Sequence, residues 1–416
     1  MEVDELISKN DYVISGEDIE GCITIKNASD FSEWFFKVKP FDKKIAFFNV
    51  PLEVDRIYSF LNYYTSVKKL CETEMERYND LFSKEDNKFL KEALEQFITI
   101  NRGGKYLRAS LIALGYHSFG KSDNDFLPLS IALEVFQTSI LIHDDIIDMA
   151  DKRRGRDTIP TKYQKIYSNP VKDDGSFNEK RKNTSDSMAL CLGDLGFYLA
   201  NQIMIKGYFK NPNLPFILDY YNNIAIKTCK GEMIDVILPF YEEFYESSDD
   251  LEGSIFEIYK LKTAWYSVIG PYVLGSILAG VSQDKIDKLE SVLLNLGVAY
   301  QIKDDLLGIY GSEDKIGKSA SSDAKEFKQT LLYCYTINTE YKDELLKYYG
   351  KSDLNQSDID KIKDIFDKSG AKEYSYKIMD RLFDESFKDI SSLDFLDEKY
   401  KNILLGFAEF LKIRSK

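Results

Sequence analysis

The sequence is poor in residues that interrupt helices. Nine prolines and 23 glycines are spread over 416 residues, and so few breakers favour long helices over many short strands. The only two histidines, His117 and His143, leave little room for a metal centre built from several imidazoles. The five cysteines are odd in number and form no CxxC pair. We therefore expect a reducing compartment, without a disulfide framework or a zinc site.

Positive charge is also in deficit. The formal net charge of −14 argues against a general nucleic-acid-binding protein, because the phosphates would be repelled. If this protein binds phosphate groups, it must gather its cations locally. Apolar residues make up 44% of the chain and aromatic residues 14%, so a large core is available and global disorder is not expected.

The sequence offers little support for membrane insertion or secretion. Met1 to Asn10 carries acids and no apolar run, which is unlike a signal peptide. The longest uncharged stretch, Thr263 to Gln283, could span a bilayer by length, but it contains Pro271, several glycines and hydroxyl side chains. We interpret it as a buried helix and predict a cytoplasmic protein without a transmembrane segment.

The first 50 residues differ from the rest of the chain. Cys22–Ile25, Trp34–Val38 and Phe41–Val50 are apolar runs typical of strands, so residues 1–50 are predicted to be an extension that can carry strands. From about Leu52 the apolar residues recur with a helical period. Residues 51–416 are therefore predicted to form one all-helical domain.

Polar segments predict loops within that domain. The polar, lysine-rich region from Thr161 to Ser187 is predicted to be a surface loop, and a second loop is predicted after Ile309. The tail after Gly350 is charged but amphipathic, so we expect it to be helical.

The segment Leu141–Asp148 has the sequence LIHDDIID and follows an apolar run without a breaker after Pro128. Asp144 and Asp148 are four residues apart, which places them on one helix face about 6 Å apart along the axis. Two carboxylates at that helix end repel each other and are disfavoured by the helix dipole. A divalent cation such as Mg²⁺ would relieve both effects. The alternative is a helix cap or a solvated acidic helix end.

A second aspartate segment, Gln301–Gly308, also follows an apolar helical run, from Val292 to Tyr300. Two such segments could face each other across a cavity and hold several magnesium ions around one diphosphate. Cations supply the complementary charge, in Gly103–Arg108 (GGKYLR), Arg153-Arg154, Lys262-Thr263 and Gly317-Lys318. Each cation alone is more often a solvated surface group, but together in an acidic protein they indicate two anionic subsites.

The ordered series GGKxxR, HDDIID, RRG, KT, QxxDD and GKxxxxDxxxxKxT resembles the trans-isoprenyl diphosphate synthase (polyprenyl synthetase) family from about residue 52 to the C-terminus. The last motif is complete, with Gly317, Lys318, Asp323, Lys328 and Thr330 in place. The resemblance implies an all-α bundle around a deep central cavity, usually a homodimer. It also implies an enzyme that joins isopentenyl diphosphate to an allylic diphosphate with Mg²⁺, of which we expect three ions per active site.

The same resemblance implies roles for individual residues. Asp144, Asp148 and Asp304 would bind magnesium, with Asp145 in support. The allylic diphosphate would be contacted by Arg153, Lys262 with its neighbour Thr263, Gln301 and Lys318. The isopentenyl diphosphate site would comprise Gly104, Lys105, Arg108, Gln137 and Arg154, and Arg414 could reach it. Together with the four aspartates, Lys262 is expected to form the catalytic group.

Some positions depart from the family pattern. Tyr106 and Ala109 stand where many members have Arg and Pro, Gly308 replaces the last aspartate of the second motif, and Phe327 replaces a common glycine. Small Ser139 is predicted to leave the upper cavity open, and Phe136 one turn deeper is predicted to be its floor. These two residues predict a product of twenty carbons or somewhat more.

Three other functions compete with this interpretation. A class I terpene cyclase needs an NDxxSxxxE-type motif downstream of the first aspartates. The nearest match, Asn79-Asp80 with Ser83, has Asn87 in place of the acid and lies upstream. A non-catalytic regulatory subunit typically loses one motif or the cations, whereas this chain keeps both. A helical bundle without a ligand leaves the ordered motifs unexplained.

Overall fold

The computed structural model describes residues 52–153, 155–166, 176–240, 248–311, 322–351 and 353–414, together with the backbone of residues 12–15 and 45–48. Its strands are β1 (Tyr12–Ser15), β2 (Ile45–Phe48), β3 (Lys152–Arg153) and β4 (Arg156–Asp157). The helices of the first half are α1 (Leu52–Phe82), α2 (Lys88–Asn101), α3 (Leu107–His117), α4 (Leu127–Ile147), α5 (Ile159–Ile166), α6 (Ser176–Tyr208) and α7 (Leu214–Ile237).

A 3₁₀ turn (Leu238–Phe240) follows α7, and a π-helix (Tyr259–Ile269) follows α8 (Ser248–Ile258). The remaining helices are α9 (Gly270–Leu278), α10 (Gln283–Tyr310), α11 (Ser322–Lys325), α12 (Leu331–Ile337), α13 (Lys342–Leu345), α14 (Gln356–Ser369), α15 (Ala371–Ser391) and α16 (Glu398–Ile413). The predicted all-α class is thereby confirmed, and so is the helical tail after Gly350.

The described residues of the N-terminal region form a pair of short strands. Strands β1 and β2 run parallel, with Tyr12 opposite Ile45 and Ser15 opposite Phe48. Strand β2 lies inside the predicted strand-like run Phe41–Val50, whereas the runs Cys22–Ile25 and Trp34–Val38 lie outside the described residues. The division into an extension of residues 1–50 and a helical domain of residues 51–416 stays a prediction.

The helix ends follow from local hydrogen bonding. The Asn87 side chain accepts hydrogen bonds from the amides of Phe89 and Leu90 and so caps α2. Pro128 lies in the first turn of α4, where its missing N–H costs nothing. Helix α14 begins with a capping box of Asn355 and Asp358. These signals can all be read in the sequence.

The bundle is held together by long helices that pack on one another over apolar faces. Helix α4 lies against α6, α3 against α9, and α1 against α16, while α10 packs on both the π-helix and α15. The buried apolar residues form two clusters, one around α10 and the C-terminal helices and the other around α3, α4 and α6. This packing brings α4, α7, the π-helix and α10 next to one another.

The predicted loop from Thr161 to Ser187 is wrong at both ends. Residues up to Ile166 belong to α5, and Asn183 to Ser187 lie within α6. The polar side chains of this stretch are those of a half-solvated helix, with Ser185 buried and its neighbours turned outward. The predicted second loop begins where α10 ends at Tyr310, and most of it lies outside the described residues.

The uncharged stretch from Thr263 to Gln283 is largely buried in the bundle, as predicted, and is divided between the π-helix and α9. Among the described residues, only the helical stretch Lys180–Tyr208 is long and apolar enough to cross a membrane. Length and composition alone are weak evidence for such a span, because core helices of soluble proteins meet the same criteria.

Candidate functional site

The first aspartate motif lies at the C-terminal end of α4, as predicted, and pairs with the cation of β3. Arg153 Nε donates to Asp145 Oδ1 at 2.6 Å, and Arg153 Nη2 donates to Asp144 Oδ2 at 3.2 Å. The Asp145 side chain is almost fully buried, whereas 18% of the Asp144 side chain is exposed. Asp148 follows as the C-cap of α4, and its amide donates to the Asp144 carbonyl. Asp144 thus faces open space while Asp145 anchors the arginine.

A lysine of the π-helix meets acids from α7. Lys262 Nζ lies 2.6 Å from Asp235 Oδ2 and 2.7 Å from Glu232 Oε2. Burial alone would lower the pKa of Lys262, but Asp235, Asp144 and Glu232 outweigh it and raise that pKa. Burial raises the pKa of Glu232, an effect that the nearby Lys262 partly offsets. The charge of Asp144 reaches Lys262, so the first aspartate motif and the π-helix belong to one site.

Sequence reasoning missed Glu232 and Asp235. A signal for them exists, because they are three residues apart on α7 in the segment GEMID, where a helix places both on one face. Without knowledge of the neighbouring π-helix, two acids on a helix indicate only a solvated face.

The second aspartate motif divides its two carboxylates between interior and surface. Asp305 is buried and accepts hydrogen bonds from Tyr259 Oη at 2.5 Å, Gln301 Nε2 at 2.8 Å and Lys328 Nζ at 3.0 Å. Burial raises the pKa of Asp305, and the charge of Lys328 partly offsets this. Asp304, with 38% of its side chain exposed, pairs with Arg414.

Two predicted diphosphate contacts join this network. Thr263 Oγ1 donates to Gln301 Oε1 at 2.5 Å, so the π-helix is tied through Gln301 to Asp305 on α10. The chain of hydrogen bonds fixes the amide of Gln301, whose orientation is then set by both neighbours. Lys318, Gly317 and Arg154 lie outside the described residues.

The GGKYLR segment lines a small cavity of about 80 Å³. Its lining includes all four described residues of the predicted isopentenyl diphosphate site, which are Gly104, Lys105, Arg108 and Gln137. Tyr106 takes the left-handed conformation (φ 57°) just before α3 and turns the chain there. Tyr64 Oη donates to the Lys105 carbonyl at 2.5 Å and holds the same turn.

Aromatic rings orient the cations of this region. The Arg108 guanidinium lies 4.2 Å from the centre of the Tyr266 ring, and its Nη2 donates to Ser267 Oγ at 2.7 Å. Tyr266 Oη in turn donates to Gln137. Arg414 stacks 4.3 Å above the ring of Tyr300, which also lines the small cavity. Arg414 thus packs on a ring that lines this cavity, and its contact with isopentenyl diphosphate stays a prediction.

A larger cavity, of about 510 Å³, opens beside Asp144 and runs between α4, α6 and α7. Phe136, Ile140 and Asp144 lie on one face of α4 at successive helical turns and all line it. Phe136 packs against the rings of Phe197, Tyr221 and Tyr266 with centroid distances of 5.2 to 5.7 Å. The lining of this cavity is almost wholly apolar apart from its charged end at Asp144 and Glu232.

The expectation that Ser139 lines the upper cavity is wrong. Ser139 is fully buried on the α6 side of α4, where a side chain at Gly196 would overlap its Oγ. Ile140, the next residue, occupies the cavity wall instead. One residue along a helix turns the side chain by about 100°, so neighbouring positions face different partners.

The carboxylates of the site suit a hydrated divalent cation. The described residues contain no group of three or more His, Cys, Asp or Glu side chains that could hold a metal ion. Magnesium needs no such cage, because it binds through one or two carboxylates, keeps several waters and uses substrate phosphates as ligands. Asp144 and Asp304 have the required chemistry and exposure.

Comparison with known proteins indicates the family of this chain. The family model described as polyprenyl synthetase matches residues 87–366. The chain is 25% identical to a geranylgeranyl diphosphate synthase of Sulfolobus acidocaldarius over 319 residues, which cover 76% of this chain and 88% of the relative. It is 30% identical to the farnesyl diphosphate synthase of Dictyostelium discoideum over 295 residues, 69% of each chain.

Among solved structures, the fold is similar to that of a geranylgeranyl pyrophosphate synthase from Corynebacterium glutamicum complexed with isoprenyl diphosphate and magnesium. The TM-score is 0.74 at 22% identity, over 85% of this chain and 99% of the other. At that identity the likeness shows the fold alone. The family model, however, covers well over half of the sequence, and the chain belongs to the polyprenyl synthetase family.

Proposed function

We propose that this protein is a magnesium-dependent prenyltransferase that adds isopentenyl diphosphate to an allylic diphosphate and releases a longer linear prenyl diphosphate. The observation that carries the proposal is the cavity beside α4, where charged groups stand at one end of an otherwise apolar space. The charged residues in the cavity lining are carboxylates, so the diphosphate group of a prenyl diphosphate would bind there through Mg²⁺ and the neighbouring cations Lys262 and Arg153, with its hydrocarbon chain in the apolar part. Membership of the polyprenyl synthetase family supports the same reaction class.

The cations around Asp144 suit the allylic diphosphate. Lys262 and Arg153 are held in place by the acids of α7 and α4, so they lose little side-chain entropy when a diphosphate binds. Magnesium held by Asp144, Asp148 and Asp304 would neutralise the negative charge that develops on the leaving diphosphate. The Thr263 hydroxyl and the Gln301 amide, which are hydrogen-bonded to each other, would supply further polar contacts to the diphosphate.

The small cavity suits isopentenyl diphosphate. Lys105 and Arg108 line it together with Gln137, Gly104 and the carboxylate of Glu134. Cleavage of the C–O bond releases the allylic diphosphate group and leaves an allylic cation. The double bond of isopentenyl diphosphate attacks this cation, and transfer of a proton to the released diphosphate completes the new chain. Aromatic and aliphatic residues of the larger cavity keep water from the cation.

The growing chain would extend along the cavity away from Asp144 towards Phe136. Phe136 is nearly fully buried among aromatic rings two turns below Asp144, which fits a cavity floor. The relative from Sulfolobus acidocaldarius is named for geranylgeranyl diphosphate, whereas the relative from Dictyostelium discoideum is named for the shorter farnesyl diphosphate. We propose geranylgeranyl diphosphate or a somewhat longer product.

Truncation of the floor is expected to lengthen the product. Phe136→Ala removes the ring that closes the cavity between Phe197 and Tyr221, so products should gain at least one five-carbon unit in reversed-phase analysis of the hydrolysed alcohols. Leu346→Ala, which removes a partly exposed side chain near α13, should leave the product distribution unchanged. If Phe136→Ala is folded and active with unaltered products, Phe136 is not the floor.

We also propose that the protein is a homodimer. Helices α6 and α7 expose large apolar side chains such as Tyr198, Phe216 and Ile226. An apolar groove of about 640 Å³, lined by Leu81, Leu90 and Leu195, lies between α1, α2 and α6. This groove is larger than the cavity at Asp144, but it is not lined by either aspartate motif. Together with the exposed side chains of α6 and α7 it forms an apolar surface of the kind found at protein interfaces.

Sedimentation should therefore give about twice the chain mass of 48.0 kDa. Ile226→Glu places a charge on the exposed face of α7 and should shift the protein towards monomer. Leu346→Glu, at a partly exposed position near α13, is the matched control and should stay dimeric. A monomeric wild-type protein would contradict the proposal.

The reaction itself is tested by incubating the full chain with isopentenyl diphosphate, Mg²⁺ and dimethylallyl, geranyl or farnesyl diphosphate in turn. Mass analysis should show elongated linear diphosphates that disappear on chelation. A folded protein that elongates none of these primers would not be the proposed synthase. Cyclic hydrocarbons would instead indicate a terpene cyclase. The cytoplasmic location expected from the sequence stays a prediction.

A further inference from the structure

The small cavity proposed for isopentenyl diphosphate contains a buried acid. Glu134, on α4, lines this cavity beside Lys105 and Arg108, and only 7% of it is exposed. A carboxylate close to a bound diphosphate repels it, and the repulsion is strong where water is scarce. The charge of Glu134 is felt nearby, because after burial it is the next influence that raises the pKa of Tyr64 and of Tyr106. An acid in this place therefore requires a role that outweighs its repulsion of the substrate.

Helix α3 has no cap of its own at the end that lines this cavity. The residue before the helix, Tyr106, is in the left-handed conformation (φ 57°), and its side chain makes no capping hydrogen bond. The first amides of a helix have no acceptor within the helix and are usually satisfied by a short polar side chain at this position. Here Oε1 of Glu134 accepts from the amide of Ala109, the third residue of α3, at 3.2 Å. Glu134 thus caps α3 from another helix, and its charge suits the positive end of the helix dipole.

The second oxygen of the same carboxylate lies against the glycine turn before α3. A Cβ added at Gly104 would lie 3.3 Å from Oε2 of Glu134 and 3.3 Å from the ring of Tyr106. A side chain there would press on the acid, so the glycine allows this close approach. The carboxylate therefore meets the chain at Gly104 and again at Ala109, on either side of the two cations Lys105 and Arg108.

The acid acts on this segment through its backbone, whereas neutral groups orient the side chain of Arg108. The Arg108 guanidinium lies 4.2 Å from the centre of the Tyr266 ring and donates to the hydroxyl of Ser267 at 2.7 Å. Because these partners are neutral, the positive charge of Arg108 stays available to a diphosphate. Tyr64 Oη donates to the carbonyl of Lys105 and adds a second backbone contact to the same turn.

We propose that Glu134 is a positioning residue for isopentenyl diphosphate, which fixes the segment carrying Lys105 and Arg108 by capping α3 and by packing against Gly104. The inference rests on the proposed function, because it concerns the second substrate of that reaction. A segment that is fixed before the substrate arrives costs less conformational entropy on binding. The role is that of a hydrogen-bond acceptor at a defined reach, so it does not depend on the charge of Glu134.

Two substitutions separate the reach of this side chain from its charge, with the primer that is elongated best held at saturation. Glu134→Gln keeps the length and an oxygen that can accept from the Ala109 amide, so KM for isopentenyl diphosphate should stay within about twofold of the wild-type value. Glu134→Asp keeps the charge but is one methylene shorter. Its KM should rise about fivefold, which is the loss of a helix cap of about 1 kcal/mol expressed as a ratio. The proposal is overturned if KM is normal in Glu134→Asp, or if it rises as much in Glu134→Gln.

The values of kcat and of KM for the allylic diphosphate show whether the effect is local. Loss of folded enzyme lowers kcat and leaves both KM values unchanged, whereas displacement of the segment with Lys105 and Arg108 should raise KM for isopentenyl diphosphate alone. Glu290→Asp is the matched control, because it shortens a partly buried carboxylate on α10 that accepts from Tyr220 Oη at 2.8 Å. Both of its KM values should equal those of the wild type. Equal rises of both KM values in Glu134→Asp would show a general distortion of the site and would also overturn the proposal.

The same measurements separate the role of Glu134 from the reaction itself. A wild-type chain that elongates no primer refutes the synthase, and this inference with it. Wild-type elongation combined with an unchanged KM for isopentenyl diphosphate in Glu134→Asp refutes only the role of Glu134.

Discussion

Replacement of Asp144 with alanine is expected to lower kcat by about 10²–10³-fold, the loss typical when one preorganised electrostatic contact to a developing charge is removed. Asp144 lies where the apolar cavity meets Arg153 and Lys262. Its loss would remove the proposed magnesium ligand and one of the acids near these two cations, although Arg153 keeps Asp145 and Lys262 keeps Asp235 and Glu232. Binding of the hydrocarbon chain depends on the cavity wall, so KM for the allylic substrate should change less than kcat.

Steady-state rates at saturating Mg²⁺ check this expectation. Asp144→Asn, which keeps the shape but not the charge, should be nearly as slow as the alanine variant. Asp360→Ala removes a carboxylate that bonds only to Gln356 on the surface of α14 and should turn over normally. An Asp144→Ala enzyme with a near-normal rate would remove Asp144 from the metal site.

Much of the fold could be predicted because it depends on local patterns. The apolar run before Asp144 contains no breaker after Pro128, and the structure ends α4 at Ile147. The family followed from the order of six motifs, which no single helix or composition could have supplied. The segment from Asn183 to Ser187 was mistaken for a loop, because polar residues on the exposed face of a long helix resemble those of a loop.

The site residues that were predicted wrongly or missed depend on which helices pack together and on which face of each helix makes the contact. Ser139 and Ile140 are adjacent in sequence, and only the contact of Ser139 with Gly196 on α6 shows that Ile140 lines the cavity. Glu232 and Asp235 could be assigned to Lys262 only once α7 and the π-helix were side by side. Tertiary neighbours of this kind are separated by tens of residues, and local periodicity does not encode them.

For the two aspartates of the second motif, helical periodicity in the sequence is enough to predict which side chain is buried. Asp305 is three residues after Ile302 and four before Ile309, and both of these apolar residues are buried. An acid at that spacing belongs to the buried face of α10. Asp304 points elsewhere and remains partly exposed. The spacing of apolar residues in the sequence thus predicts that Asp305 is a buried structural carboxylate and that Asp304 can reach a ligand.

Loss of the buried carboxylate should unfold the protein more readily. Asp305→Leu removes the acceptor of Tyr259, Gln301 and Lys328 at once, and we expect a loss of about 3 kcal/mol in the free energy of unfolding, the lower end of the range for a broken buried pair. The lower end applies because 26% of the Lys328 side chain is exposed. Urea denaturation followed by circular dichroism measures the change.

A second substitution distinguishes the cost of leaving the Lys328 charge unpaired from the cost of losing the hydrogen bonds of Tyr259 and Gln301. If the cost arises because Lys328 is left without its partner, Asp305→Leu/Lys328→Met should be more stable than Asp305→Leu alone, since replacement of both members of a buried pair by apolar groups is often nearly neutral. If the cost arises from Tyr259 and Gln301, whose hydrogen bonds are lost in both variants, the double variant should be no more stable. The first result would make Lys328 and Asp305 one structural unit. Asp304, which pairs with Arg414 and is partly exposed, would then remain the carboxylate of this motif that we propose for the metal.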